Sequence, residues 1–127
     1  MIMYTEIDAK IAETLGWNIG AFSNDGKTFL AADETGTVLD AIDSFTKTGN
    51  GMLWLIQKAR KMDVDLWFSH TENGGFIGHV GIVSEGRGYD ETYRSPEVSE
   101  PQVAIALAFL IAKEVDIKPF IISTKGV

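Results

Sequence analysis

Apolar positions along this chain change their period several times, and each change marks an element. In "TEIDAKIAETLG", Ile7, Ile11 and Leu15 recur at i, i+4 and i+8, the spacing of one helical face. Thr5 stands where an N-cap belongs, Glu6 and Asp8 put negative charge in the first turn, and Gly16 fits the stop. "TVLDAIDSF" groups Val38, Leu39, Ile42 and Phe45 on one face and predicts a second helix. "TKTGNG" breaks that pattern. "MLWLIQKARKM" restarts it, with Met52, Leu55, Ile56, Ala59 and Met62 inward and Lys58, Arg60 and Lys61 near the negative end of the helix dipole.

The period then falls to two. "VDLWFSHT" and "GFIGHVGIVS" read as strands joined across Glu72–Gly75, where Asn73-Gly74 suits a type I′ turn. "GYDETYR" alternates Tyr89, Glu91 and Tyr93 against polar neighbours and predicts a third strand with one wetter face. Upstream, Asn24-Asp25-Gly26 marks a turn, with "KTFLAA" as a short strand or extended piece after it. Ser99-Glu100-Pro101-Gln102 is a capping-box pattern opening a helix over roughly residues 100–114 that is apolar nearly all round. "KPFIIST" follows as an edge strand or docking arm. Gly78 and Gly81 sit inside a strand, where close helix packing or a bulge, or alternatively backbone approach to a ligand, would account for a missing side chain.

These elements predict an α+β fold: an alpha-beta-alpha sandwich whose small, mostly antiparallel sheet, a three-strand meander, lies between helices. The 127 residues suit one domain over 1–127. The opening "EIDAKIAETLGW", the middle "VDLWFSHTENGGFIGHVGIV" and the closing "SEPQVAIALAFLIA" resemble the phage ABA sandwich domain family. These are small alpha-beta-alpha proteins of phages and prophages. The resemblance implies that fold, a phage setting and the host cytoplasm as location; it brings no catalytic residues.

Composition narrows the functions. With no cysteine, disulfides and thiolate chemistry are excluded. The net charge of −7 and a longest basic run of "KARK" argue against a nucleic-acid groove. The start, "MIMYTEIDAK", lacks a signal-peptide pattern, and the apolar run Val103–Ala112 is short of the roughly 20 residues a bilayer needs, so no membrane is expected.

Candidate chemistry is sparse. Counting outward from Asn73-Gly74 puts Phe68 opposite His79 and His70 opposite Ile77, so the two histidines share a face about 7–8 Å apart. That spacing lets them share a metal, as in a metal-dependent hydrolase using His70 and His79, although nothing adjacent supplies a third ligand. Ser69 and His70 are strand neighbours on opposite faces and cannot work as a pair. No G-x-S-x-G, P-loop or G-x-G-x-x-G exists, and the scattered acids read as a solvated face. "EGRGYDETYR" combines Arg87 and Arg94 with Tyr89, a pattern that suits holding a small nucleotide.

The reading is therefore a phage or prophage accessory protein that acts by binding rather than catalysis, with no cofactor. Trp17, Trp54, Trp67 and the apolar last helix are a large load for a narrow sheet, which points to a homo-oligomer. One alternative is sequestration of a small nucleotide, a host immune signal, in a pocket between subunits, with Arg87, Tyr89 and Arg94 as its contacts. The other is the hydrolase.

Overall fold

The computed structural model describes residues 3–25, 29–32, 38–39, 44–84 and 88–121. Its elements run α1 (Tyr4–Thr14), β1 (Asn18–Phe22), β2 (Phe29–Ala32), β3 (Val38–Leu39), α2 (Gly49–Arg60), β4 (Val64–His70), β5 (Phe76–Ser84), β6 (Gly88–Arg94) and α3 (Pro101–Ala112). This is an α+β fold in which helices flank an antiparallel meander, β4-β5-β6. A separate, smaller antiparallel sheet, β1-β2-β3, lies against α1. No helix among the described residues is long and apolar enough to cross a membrane.

The core is built around α3. Every residue from Val103 to Leu110 is buried, because α3 meets the meander on one side and α1 and α2 on others. Each large side chain so enclosed contributes about 1.5–3 kcal/mol. The closest approach is at Gly78 in β5, where an added Cβ would lie 2.0 Å from the Ala104 carbonyl oxygen. Glycine stands inside this strand because helix backbone occupies the space a side chain needs. Ser95 closes the contact: its N–H donates to the Gly78 carbonyl (2.8 Å), and its Oγ accepts from the Gly78 N–H (2.8 Å). Gly81 sits where the β5–β6 register shifts.

The apolar load expected to need a second subunit is thus largely covered within one chain. The last helix is enclosed, and Trp17 is only 8% exposed. Its ring packs against Phe45 and Trp54 at centroid distances of 6.2 and 5.6 Å. Trp54 keeps a wet side, at 40% exposure, and Trp67 is half-buried.

The expected second helix does not form as predicted. Val38 and Leu39 pair with Ala32 and Ala31 as strand β3, and residues 44–47 lie outside any helix, in a turn. Residues 40–43 lie outside the described residues. The reason is a buried acid 36 residues away: Asp8 accepts from the Ser44 hydroxyl. It also accepts from the Thr46 N–H and the Thr46 hydroxyl, both at 3.0 Å. Side chains that bond a distant carboxylate hold their own backbone in a turn. The same turn ends in Thr48, whose Oγ1 accepts from the Gly51 N–H (2.9 Å) and caps α2. The two glycines read as a helix breaker therefore lie in the first turn of α2.

The ends of the other helices differ in detail. Thr5 is not the cap of α1; it is buried inside the first turn, where its Oγ1 accepts from Lys47 Nζ (3.2 Å). Gly16 is the stop, with φ +87°, and the Trp17 N–H reaches back to the Ala12 carbonyl (3.0 Å) as in a Schellman closure. α3 begins after Glu100 rather than Ser99, with Pro101 in its first turn. Lys118–Phe120 form a 3₁₀ turn instead of a strand, and the Phe120 carbonyl accepts from the Met3 N–H (3.0 Å), which ties the two ends of the described chain together.

Candidate functional site

The hairpin between β4 and β5 decides which side chains meet. Its loop is one residue longer than the type I′ reading. The Thr71 carbonyl accepts from the Gly74 N–H (3.2 Å), and the Thr71 N–H donates to the Gly75 carbonyl (3.0 Å). Of the two residues a type I′ turn needs at positive φ, only Gly74, at +81°, is there. This is a turn over Glu72-Asn73 followed by a left-handed glycine, a three-residue loop. Thr71 fixes it from the side: its Oγ1 accepts from the Gly75 N–H (3.0 Å) and donates to the Glu97 carboxylate.

One added loop residue shifts the register by one and turns every side chain over. The observed pairs are His70 with Phe76, Phe68 with Gly78, and Trp67 with His79. His70 and His79 therefore lie on opposite faces of the sheet, not on one, and cannot share a metal. Among the described residues no group of three metal-ligating side chains is assembled. Phe76 likewise joins Phe68 and His70 on the face that carries Leu66, where Phe76 packs on the other two rings at 5.6 and 4.8 Å.

The opposite face holds the polar cluster. Trp67, His79 and Arg94 stand directly opposite one another on β4, β5 and β6, a single row across the meander. The imidazole of His79 stacks on the indole of Trp67, with centroids 5.4 Å apart and planes within 9°. His79 is only 6% exposed. From the diagonal position on β4, Ser69 brings its Oγ to 2.7 Å from His79 Nε2. The parallel stack holds the ring plane, and the serine bond holds its rotation.

The residues singled out from the sequence fall as follows. Arg94 is exposed and occupies the end of this row. Tyr89 pairs with Val83 further along the same strand. Arg87 lies outside the described residues. Sequence reasoning missed Ser69 as a partner of His79 and Trp67 as its support. The available signal was the second glycine of "ENGGF", which allows the longer loop.

A second polar cluster surrounds Asp8, but it is closed. Burial pushes the Asp8 carboxyl above the ordinary range, against the lowering effect of the Ser44 and Thr46 hydrogen bonds. Asp8 is 5% exposed and Thr46 fully buried, so this acid joins α1 to the turn before α2.

No protein-family model, curated protein or solved structure matches this chain.

Proposed function

We propose that this protein works by binding a small anion that carries a planar ring, of the nucleotide class, on the outer face of the meander. The observation that supports this reading is the row Trp67–His79–Arg94, with Ser69 bonded to the central ring. An arginine beside fixed aromatic surface offers charge to a phosphate and a flat face to a base. Tyr89 lies further along β6. In the full form of the proposal the protein is a phage accessory protein in the host cytoplasm, the ligand is a host signalling nucleotide, and the pocket is completed by a second copy. Self-association is supported by large apolar side chains left on the surface: Phe22, Leu30, Leu53 and Trp54.

A thermal-shift series against cyclic dinucleotides and ADP-ribose tests the ligand. A ligand at 100-fold its Kd adds about 2.7 kcal/mol, which is a rise of about 10 °C for a domain of this size. The rise is expected in the wild type and lost in Arg94→Ala. No shift with any of these ligands, or an equal shift in Arg94→Ala, refutes the site. Light scattering tests the assembly: a 13.9 kDa species at working concentration refutes it.

A further inference from the structure

We infer that Ser69 is a nucleophile activated by His79, with acyl and phosphoryl electrophiles as its reaction class. The inference goes beyond the ligand reading and does not depend on it.

The geometry has the parts that activate a serine. Ser69 Oγ lies 2.7 Å from His79 Nε2, within reach for direct proton transfer. With the imidazole proton on Nδ1, Nε2 accepts from the hydroxyl and acts as the base. The ring is already placed: it is nearly buried and lies flat on Trp67, so little reorientation accompanies attack. Ser69 itself is half-buried on the face opposite α3, and an electrophile reaches it from there. The two residues come from adjacent strands of one ladder, a rigid support.

The step balances without a further reagent. Toward an ester, the Ser69 Oγ–carbon bond forms as the alkoxide leaves. The serine proton passes to His79 Nε2 and then to that alkoxide. Water repeats the sequence to release the acid and restore the hydroxyl. Toward a fluorophosphonate, the Oγ–phosphorus bond forms, fluoride departs, and the proton passes through His79 to solvent.

Intact-mass and peptide mass spectrometry of the full chain treated with a fluorophosphonate probe tests this. The expected result is one adduct, on Ser69. Ser69→Ala removes the adduct. His79→Gln slows it by about 10²–10⁴-fold, the usual contribution of a positioned base. Ser69→Cys, which leaves His79 and its stack untouched, reports on activation without disturbing the fold: its alkylation by iodoacetamide is faster than that of a cysteine placed at exposed Asn24. No adduct on Ser69, an equal rate in folded His79→Gln, or a Ser69→Cys thiol no faster than the Asn24→Cys thiol overturns the inference. The nucleotide thermal shift and the Ser69 adduct are separate readouts on the wild-type protein, so failure of the ligand reading and failure of this one are told apart.

Discussion

Replacing Gly78 by alanine probes the contact on which the arrangement of α3 and the meander rests. The added Cβ would sit 2.0 Å from the Ala104 carbonyl oxygen, 2.6 Å from its carbon and 3.0 Å from Ala108 Cβ. Two of these are helix backbone atoms, so relief requires α3 to move off the sheet. Overpacking a core costs about 1–3 kcal/mol, and a backbone clash on both sides belongs at the upper end or beyond. Unfolding entropy of about 2.1 cal/mol/K per residue makes 1 kcal/mol worth about 4 °C in a chain of 127 residues. The expected fall in Tm is therefore about 12 °C or more, measured by circular dichroism or calorimetry. Gly49→Ala is the control: nothing lies within 4 Å of its Cβ, it is helical, and it is expected to hold or raise stability by about 0.4–1 kcal/mol. A Gly78→Ala protein that melts within about 2 °C of wild type refutes the seating of α3 on β5.

Two further substitutions test the turns and the buried acid. Gly74→Ala meets no atom within 4 Å but must hold φ near +81°, so its cost is conformational alone, about 1–2 kcal/mol by chemical denaturation, and Gly74→Asn recovers part of it. Asp8→Ala leaves the fully buried Thr46 N–H without its acceptor and lowers stability by about 1–3 kcal/mol in the same assay. The wild-type acid also imposes a pH dependence. Its folded pKa is raised, so the native state holds the proton more tightly than the unfolded chain. The associated stability is complete below the ordinary carboxylate range and is lost as pH rises through the folded value. Relative to Asp8→Asn, the wild type should gain stability between about pH 7 and about pH 4; a loss over that interval refutes the sign.

What was legible in the sequence followed from local period. The inward faces of α1, α2 and α3 and the three strands of the meander stand where apolar spacing puts them. Leu55 and Ala59 are buried, and Met52, Ile56 and Met62 are partly so. What was not legible depended on partners far along the chain. The turn at residues 44–47 is set by Asp8, 36 residues before Ser44, and a helix-like apolar spacing cannot reveal that. Pairing with β2 likewise claims Val38 and Leu39 as a strand, a long-range contact outweighing a local preference. Thr5 and Lys47 meet for the same reason. Of the candidate site, Arg94 stands out by its aromatic neighbours, whereas Ser69 cannot meet adjacent His70 and nothing local points it to His79.

Strand alternation holds at Ser69, and loop length decides its partner. Strand neighbours do point apart, and Ser69 and His70 do not meet. But the same alternation makes the identity of the cross-strand partner depend wholly on loop length. A two-residue loop gives a face with two histidines and the outline of a metal site. A three-residue loop gives a serine bonded to a histidine that rests on a tryptophan. Asn73-Gly74 is compatible with both, since each needs a left-handed residue at Gly74. The choice is made by Thr71, whose hydroxyl takes the Gly75 N–H and gives its proton to Glu97, a residue that arrives from beyond β6. Glu97 also lies where a Gly75 side chain would be, 2.7 Å from its Cβ, so glycine at 75 is what admits that carboxylate. The chemistry available on the outer face is therefore set by a tertiary contact at the tip of the hairpin, made by Thr71, which takes no part in that chemistry itself.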